Sequence, residues 1–131
     1  MLLIDAHLDL SMNALEWNRD LRSSIHEINE REKHLTDKPD RGNATVSLDE
    51  LRKGNVGIVV ATQIARYVAA DSTLPGWNSP EQAWAQTQGQ LAYYKALERS
   101  DDLRPIRNYS DLQDHLTQWE SDGHTIGYIL S

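Results

Sequence analysis

The chain has 131 residues, enough for one domain of about 100–150 residues but short of the roughly 250 of a complete α/β barrel. Its 13 Lys and Arg against 20 Asp and Glu give a formal charge of −7, and the acids exceed the bases in both halves, which excludes a nucleic-acid or other polyanion partner. There is no Cys, so disulfides, thiolate zinc sites and a thiol nucleophile are excluded together, and any metal would fall to His, Asp or Glu.

The opening apolar run, Leu2-Leu3-Ile4, meets Asp5 too early for a signal-peptide core. No run approaches the roughly eighteen apolar residues of a membrane span. The expectation is a cytoplasmic protein without a membrane segment. Leu2-Leu3-Ile4 reads as a strand buried on both faces, with Asp5 to Leu10 as its polar exit. Val56 to Ala61 and Thr125 to Leu130 are β-branched-rich runs of the same kind, giving three strands.

Four helices are read between them from their start signals. Ser24 with Glu27, Ser47 with Glu50, Ser79 with Gln82 and Ser110 with Gln113 have capping-box spacing, and Pro80 stands at the favoured first helical position. Apolar residues then recur at helical spacing: Ile25, Ile28 and Leu35; Leu48 and Leu51; Trp84, Leu91 and Tyr94; Leu112, Leu116 and Trp119. Gly54 and Gly123 close the second and fourth helices, and 36–46 and 71–79 read as loops. Strands alternating with helices imply parallel pairing in an α/β fold without an interdomain linker. Three such strands expose an edge and an apolar face, so the chain is expected to be the opening of a larger sheet or barrel, or to associate with further copies.

The chemistry-bearing constellation is His7-Leu8-Asp9 at the carboxyl end of the first strand. Residues two apart on a strand share a face, so His7 and Asp9 converge while Leu8 turns to the other layer. Imidazole plus carboxylate suits zinc or a similar divalent ion, and the carboxyl ends of parallel strands are where α/β barrels build active sites. The alternative is a surface pair, with Asp9 capping a turn through Ser11 and Asn13.

Ile4-Asp5-Ala6-His7-Leu8-Asp9-Leu10 resembles the Asp-x-His-x-Asp-Leu signature at the amino terminus of the membrane (renal) dipeptidase family of zinc metallopeptidases. Thr45 to Gly57 resembles the family's short helix leading into its second strand, and Gln88 to Tyr94 its next helix. The resemblance runs through essentially the whole chain but covers only the opening part of a typical member. It implies a (β/α)8 TIM-like barrel, here truncated to its first three strands and intervening helices, with residues 1–131 as the amino-terminal part of one barrel domain. It further implies two zinc ions, a dipeptide substrate, and His7 and Asp9 as ligands of one ion. A bridging Glu, two more metal-binding His and a catalytic acid belong to later parts of the family pattern. None transfers to His26, His34, His115 or His124. The chain alone is therefore expected to be inactive, since a catalytic zinc needs about three protein ligands. The rival expectation is a non-catalytic relative that oligomerises or binds through its exposed strand edges.

Other polar and aromatic residues are weighed against blander roles. His124 falls on the rim opposite His7, His115 flanks a buried stripe, His26 is exposed, and His34 lies near helix-end carbonyls. Glu30 and Glu32 beside Arg31 and Lys33 read as a solvated helix face. Trp77 either lines a substrate mouth or, as preferred, pins its loop. Arg66 and Tyr67, on the presumed active rim, are weaker candidates for a substrate carboxylate.

Overall fold

The computed structural model describes residues 1–131. Strand β1 (Leu3–Leu8) leads through helices α1 (Leu10–Leu15), α2 (Ile25–Glu32) and α3 (Leu48–Lys53) to β2 (Val56–Ala61). Helix α4 (Pro80–Arg99), β3 (Leu103–Pro105), α5 (Tyr109–Asp122) and β4 (Ile126–Leu130) follow. All pairings are parallel, in the order β1-β2-β4-β3. This is an α/β fold with a four-stranded parallel sheet, because each pair of neighbours is separated in sequence by helical crossovers. No helix is long and apolar enough to cross a membrane.

Two elements were not expected from the sequence. Helix α1 has six residues and no side-chain cap, so it lacks both the length and the start signal by which a helix is recognised. Strand β3 has three residues, one of them Pro105. It is held at the sheet edge because the Ile126 amide donates to Asp102 O (3.1 Å) and the Ile106 amide to Tyr128 O (2.8 Å).

Strand β1 is not buried on both faces. It pairs with β2 alone, and Leu3 and Ile4 are 43% and 62% exposed, whereas Leu2 and Leu8 pack against the core. An edge strand has one neighbour to shield it, and an apolar sequence cannot change that.

Helix starts follow the expected chemistry at three of four places. Ser24 and Glu27 form a complete capping box, and the Ser47 and Ser79 side chains accept from the amides of Glu50 and Gln82. The fourth start is Asn108 rather than Ser110. Asn108 Oδ1 accepts from the Asp111 amide (3.0 Å), and Asp111 in turn accepts from the Arg107 amide (2.9 Å). Trp84 is 65% exposed, because α4 buries only residues from Gln90 onward and its first turns run past the sheet. Leu35 lies beyond the end of α2 and is also exposed.

The main core gathers Val59, Ala61, Ile126 and Tyr128 of the sheet with Leu48 and Leu51 of α3, Tyr94 and Leu97 of α4 and Trp119 of α5. Tyr94 is fully buried and stacks on Tyr128, with ring centroids 5.4 Å apart. Helix α5 approaches β4 closely at Gly127, where a Cβ would lie 2.7 Å from both His115 Nε2 and Ile106 Cδ1, so no larger residue fits without displacement. Just before β3, Asp102 accepts from Arg22 Nε (2.9 Å) and Arg52 Nη2 (2.8 Å), tying three segments distant in sequence.

His115 is wholly buried. Its Nε2–H donates to Gly57 O at 2.8 Å, and its Nδ1 has no partner, a tautomer suited to the neutral ring. Burial pushes its pKa below the ordinary histidine value, against the opposing hydrogen bond to Gly57. The unfolded chain then binds a proton that the folded chain refuses. This part of the stability is complete above the unfolded value of about 6.5 and is lost as pH falls from there through the depressed folded value. Urea unfolding between neutral pH and pH 5 should show that loss, and a His115→Asn variant should lack its contribution to the slope.

The charge run at the end of α2 is not a solvated face throughout. Glu30 is exposed and pairs with Lys33, but Glu32 is only 4% exposed. It takes Arg19 in a two-pronged pair (2.8 and 2.9 Å), Arg41 Nη1 (2.8 Å) and the Gly42 amide (2.9 Å). Trp17 lies over this hub, with the Arg19 guanidinium 4.5 Å and that of Arg41 5.5 Å from its ring centroid. Helix periodicity could not show this, because the two Arg partners come from the flanking loops rather than from α2.

A candidate metal-ligating pair and its adjoining cavity

His7 is the penultimate residue of β1 and Asp9 the residue that opens α1. Both stand at the carboxyl end of the parallel sheet. Leu8, between them, aligns with Ala61 of β2 and packs on the core. His7 Nε2 is 3.4 Å from Asp9 Oδ1. The imidazole side chain is 74% exposed and the carboxylate 29%.

The Asp9 carboxylate does not serve as a helix cap. The Asn13 amide and side chain both bond to the Asp9 backbone oxygen, at 3.0 Å each, and the side chain makes no cap hydrogen bond. It accepts instead from the Thr62 hydroxyl through Oδ1. Thr62 is itself fixed: its backbone oxygen accepts from Tyr94 Oη (2.7 Å) and Ser11 Oγ (3.0 Å), and its amide donates to Leu8 O (3.2 Å). Three buried side chains, Ser11, Gln90 and Tyr94, thus support the floor of the pair.

Two donors on one tetrahedral zinc, at about 2.0–2.2 Å from the metal, lie roughly 3.4 Å apart, which matches the separation of His7 Nε2 and Asp9 Oδ1. A ligating carboxylate commonly takes a hydrogen bond from a neighbour that orients it, and Thr62 occupies that place. The donor set fits two ligands of such an ion. No group of three or more His, Cys, Asp or Glu side chains stands ready to hold one.

Beyond the pair opens a cavity of about 390 Å³, lined by Met12, Glu16, Lys38, Ile64, Arg66 and Trp77 among others. His7, Asp9 and Thr62 do not line it; it is reached from them along the chain through Met12, three residues after Asp9, and Ile64, two after Thr62. Gln90 holds the Ile64 backbone at both ends: its Oε1 accepts from the Ile64 amide (2.7 Å) and its Nε2 donates to the Ile64 oxygen (2.6 Å).

Trp77 pins its loop, as preferred. Its amide donates to Arg66 O (2.8 Å) and its oxygen accepts from the Val68 amide (2.9 Å), pinning the loop, while the residue also lines the cavity. Gly76 permits this closure, because a Cβ there would lie 2.6 Å from Val68 Cγ1 and 2.7 Å from Arg66 O. Tyr67 is exposed and does not line the cavity. His26, His34 and His124 are exposed and join no ligand group.

Thr62, Met12, Glu16 and Lys38 went unread in the sequence. The pairing of Met12 with Glu16 becomes visible only once α1 is known to be helical, and Thr62 only once β1 and β2 are in register. Comparison with protein-family models, with curated proteins and with solved structures yields no match.

Proposed function

We propose that the chain is the amino-terminal part of a metal-dependent hydrolase of dipeptides, similar to the membrane (renal) dipeptidase family, with His7 and Asp9 supplying half of one zinc site. The observation that carries this reading is the 3.4 Å approach of His7 Nε2 to Asp9 Oδ1 on the carboxyl rim of a parallel sheet, with Thr62 orienting the carboxylate.

In the barrel reading β1, β2 and β4 are consecutive barrel strands, and β3 is a three-residue addition that pairs only with Ile126, Gly127 and Tyr128. The unpaired outer edge of β1 and the exposed Ile4, Ile129 and Leu130 would be covered by the rest of the barrel. A zinc ion held at the pair would supply Lewis acidity for amide hydrolysis. The chain's own residues contribute one imidazole, one carboxylate and the Thr62 hydroxyl that keeps the carboxylate turned toward the imidazole.

The test is zinc content after dialysis, with dipeptide hydrolysis alongside, for protein expressed from the full reading frame. His7→Ala and Asp9→Ala should each lose zinc and activity. Thr62→Val should weaken zinc binding about 10- to 100-fold, with Thr62→Ser restoring most of it. Equal zinc in all variants rejects the ligand assignment.

The same exposed edge and apolar residues favour a second reading, in which copies of the chain associate through β1. Light scattering after size exclusion separates the two. A concentrated solution that remains monomeric argues against self-association.

A further inference from the structure

Helix α5 is fastened to the sheet at few points. Of its 14 residues only His115 and Trp119, one turn apart, are buried. Each seats where a strand has no side chain. A Cβ on Gly127 of β4 would meet His115 Nε2 at 2.7 Å, and one on Gly57 of β2 would meet Trp119 Cε2 at 2.8 Å. The pairing of β1 with β2 skips Gly57, passing from Leu3 opposite Val56 to Ile4 opposite Ile58, and the Gly57 oxygen is the acceptor of His115 Nε2–H. One of the two anchors is therefore an ionisable ring whose second nitrogen, Nδ1, is buried without a partner. Gly127 and Tyr128 are consecutive residues of β4 and so face opposite sides of the sheet. Tyr94 of α4, which stacks on Tyr128 and reaches Thr62 O, thus packs on the face away from the His115 seat.

Protonating the ring puts a hydrogen on Nδ1, where no acceptor waits. The surrounding charges give little relief. From β3, Arg104 opposes a positive ring; on α5 itself Asp122 favours one, while Asp111, one turn before His115, is engaged by the Arg107 amide. Strand β2 has no titratable residue, and that of β4, Tyr128, turns its hydroxyl to Glu98 of α4, the pair on which the Arg107 charge acts. The other four histidines are exposed, so His115 is the one whose protonation conflicts with packing.

We propose that α5 is a proton-released helix: as pH falls below neutral, the sheet lets go of residues 109–122 while α4 and the rest of the core stay folded. The acid-linked loss of stability at His115 then falls first on one helix rather than on the whole fold.

Amide hydrogen exchange read by mass spectrometry, corrected for the intrinsic rate at each pH, tests this on the 131-residue chain at pH 7 and pH 5, with and without low urea. Residues 112–119 should open more often than residues 90–97 at both pH values and with a weaker dependence on urea, the mark of a sub-global opening. Their opening constant should rise about 5- to 25-fold from pH 7 to pH 5, the upper figure being that of a docked ring that takes no proton and a released ring titrating at about 6.5. His115→Gln, whose amide can still donate to Gly57 O but does not titrate, should reduce the rise to about twofold or less. The proposal is overturned if the two segments share one opening constant and one urea dependence, because α5 then opens only with the whole fold. A constant for residues 112–119 that does not change with pH, or a His115→Gln variant that keeps the wild-type rise, overturns it equally. Should that variant not fold, the two segments of the wild-type chain decide.

Discussion

Replacing Glu32 with alanine is expected to cost about 3–5 kcal/mol of stability, the range for removing one member of a buried charge cluster. The carboxylate is the only acid shared by Arg19 and Arg41, whose side chains are 6% and 8% exposed, and its loss leaves both guanidinium groups short of a partner in a largely dry environment. Glu32→Gln should recover little, because a neutral amide keeps the shape but not the charge that both arginines need. Thermal and urea unfolding measure the effect; a loss under about 1 kcal/mol would mean that water reaches the hub and replaces the carboxylate. The same group contributes an acid limb. Arg19 holds its carboxyl well below the usual range, at about 2 and against the opposing effect of burial, so its stabilisation is complete above the unfolded value of about 4.5. That stabilisation is lost as pH falls from there toward 2.

Tyr94 carries the second large expectation. Tyr94→Ala should cost about 3–5 kcal/mol, because a fully buried ring stacked on Tyr128 leaves a cavity at the centre of the core. Tyr94→Phe isolates the hydroxyl, which donates to Thr62 O at 2.7 Å and accepts from the Ser11 amide at 3.3 Å. Its removal should cost about 1–3 kcal/mol, since Thr62 O keeps Ser11 Oγ as a donor but the buried Ser11 amide loses its acceptor. The phenylalanine variant also bears on function. It loosens the backbone of the residue that holds Asp9, so a change in metal binding larger than the stability change predicts would place Tyr94 among the residues that position the pair. Parallel measurement of unfolding and zinc affinity tests this.

How much of the molecule was legible in advance follows from how local each signal is. The strands at 56–61 and 126–130 and the helix starts at Ser24, Ser47 and Ser79 are written in contiguous residues, and they appear where expected. The parallel α/β arrangement follows from their alternation. What escaped depends on partners distant in sequence. The exposure of β1 is decided by its place at the sheet edge, and β3 exists because β4 offers it an open edge. The burial of Glu32 is decided by Arg19 and Arg41, thirteen residues before and nine after it. Asn108 displaced Ser110 as a cap because both have the right chemistry and spacing alone does not rank them. At the site, His7 and Asp9 approach each other, but not by the strand period: β1 ends at Leu8 and Asp9 is the turn residue that opens α1, so their approach depends on that turn, just as Thr62 depends on the register between two strands.

The single-sided attachment of β1 bears on how the pair behaves over time. The imidazole rides on a strand with one hydrogen-bonded neighbour, while Asp9 is tethered through Thr62 to the interior. Fraying of that strand would separate the two groups, so any ligand that grips both must also act as a latch, adding its own binding free energy to the closure of the sheet margin. Slowed amide exchange along residues 3–8 on addition of such a ligand would be the signature of that latch.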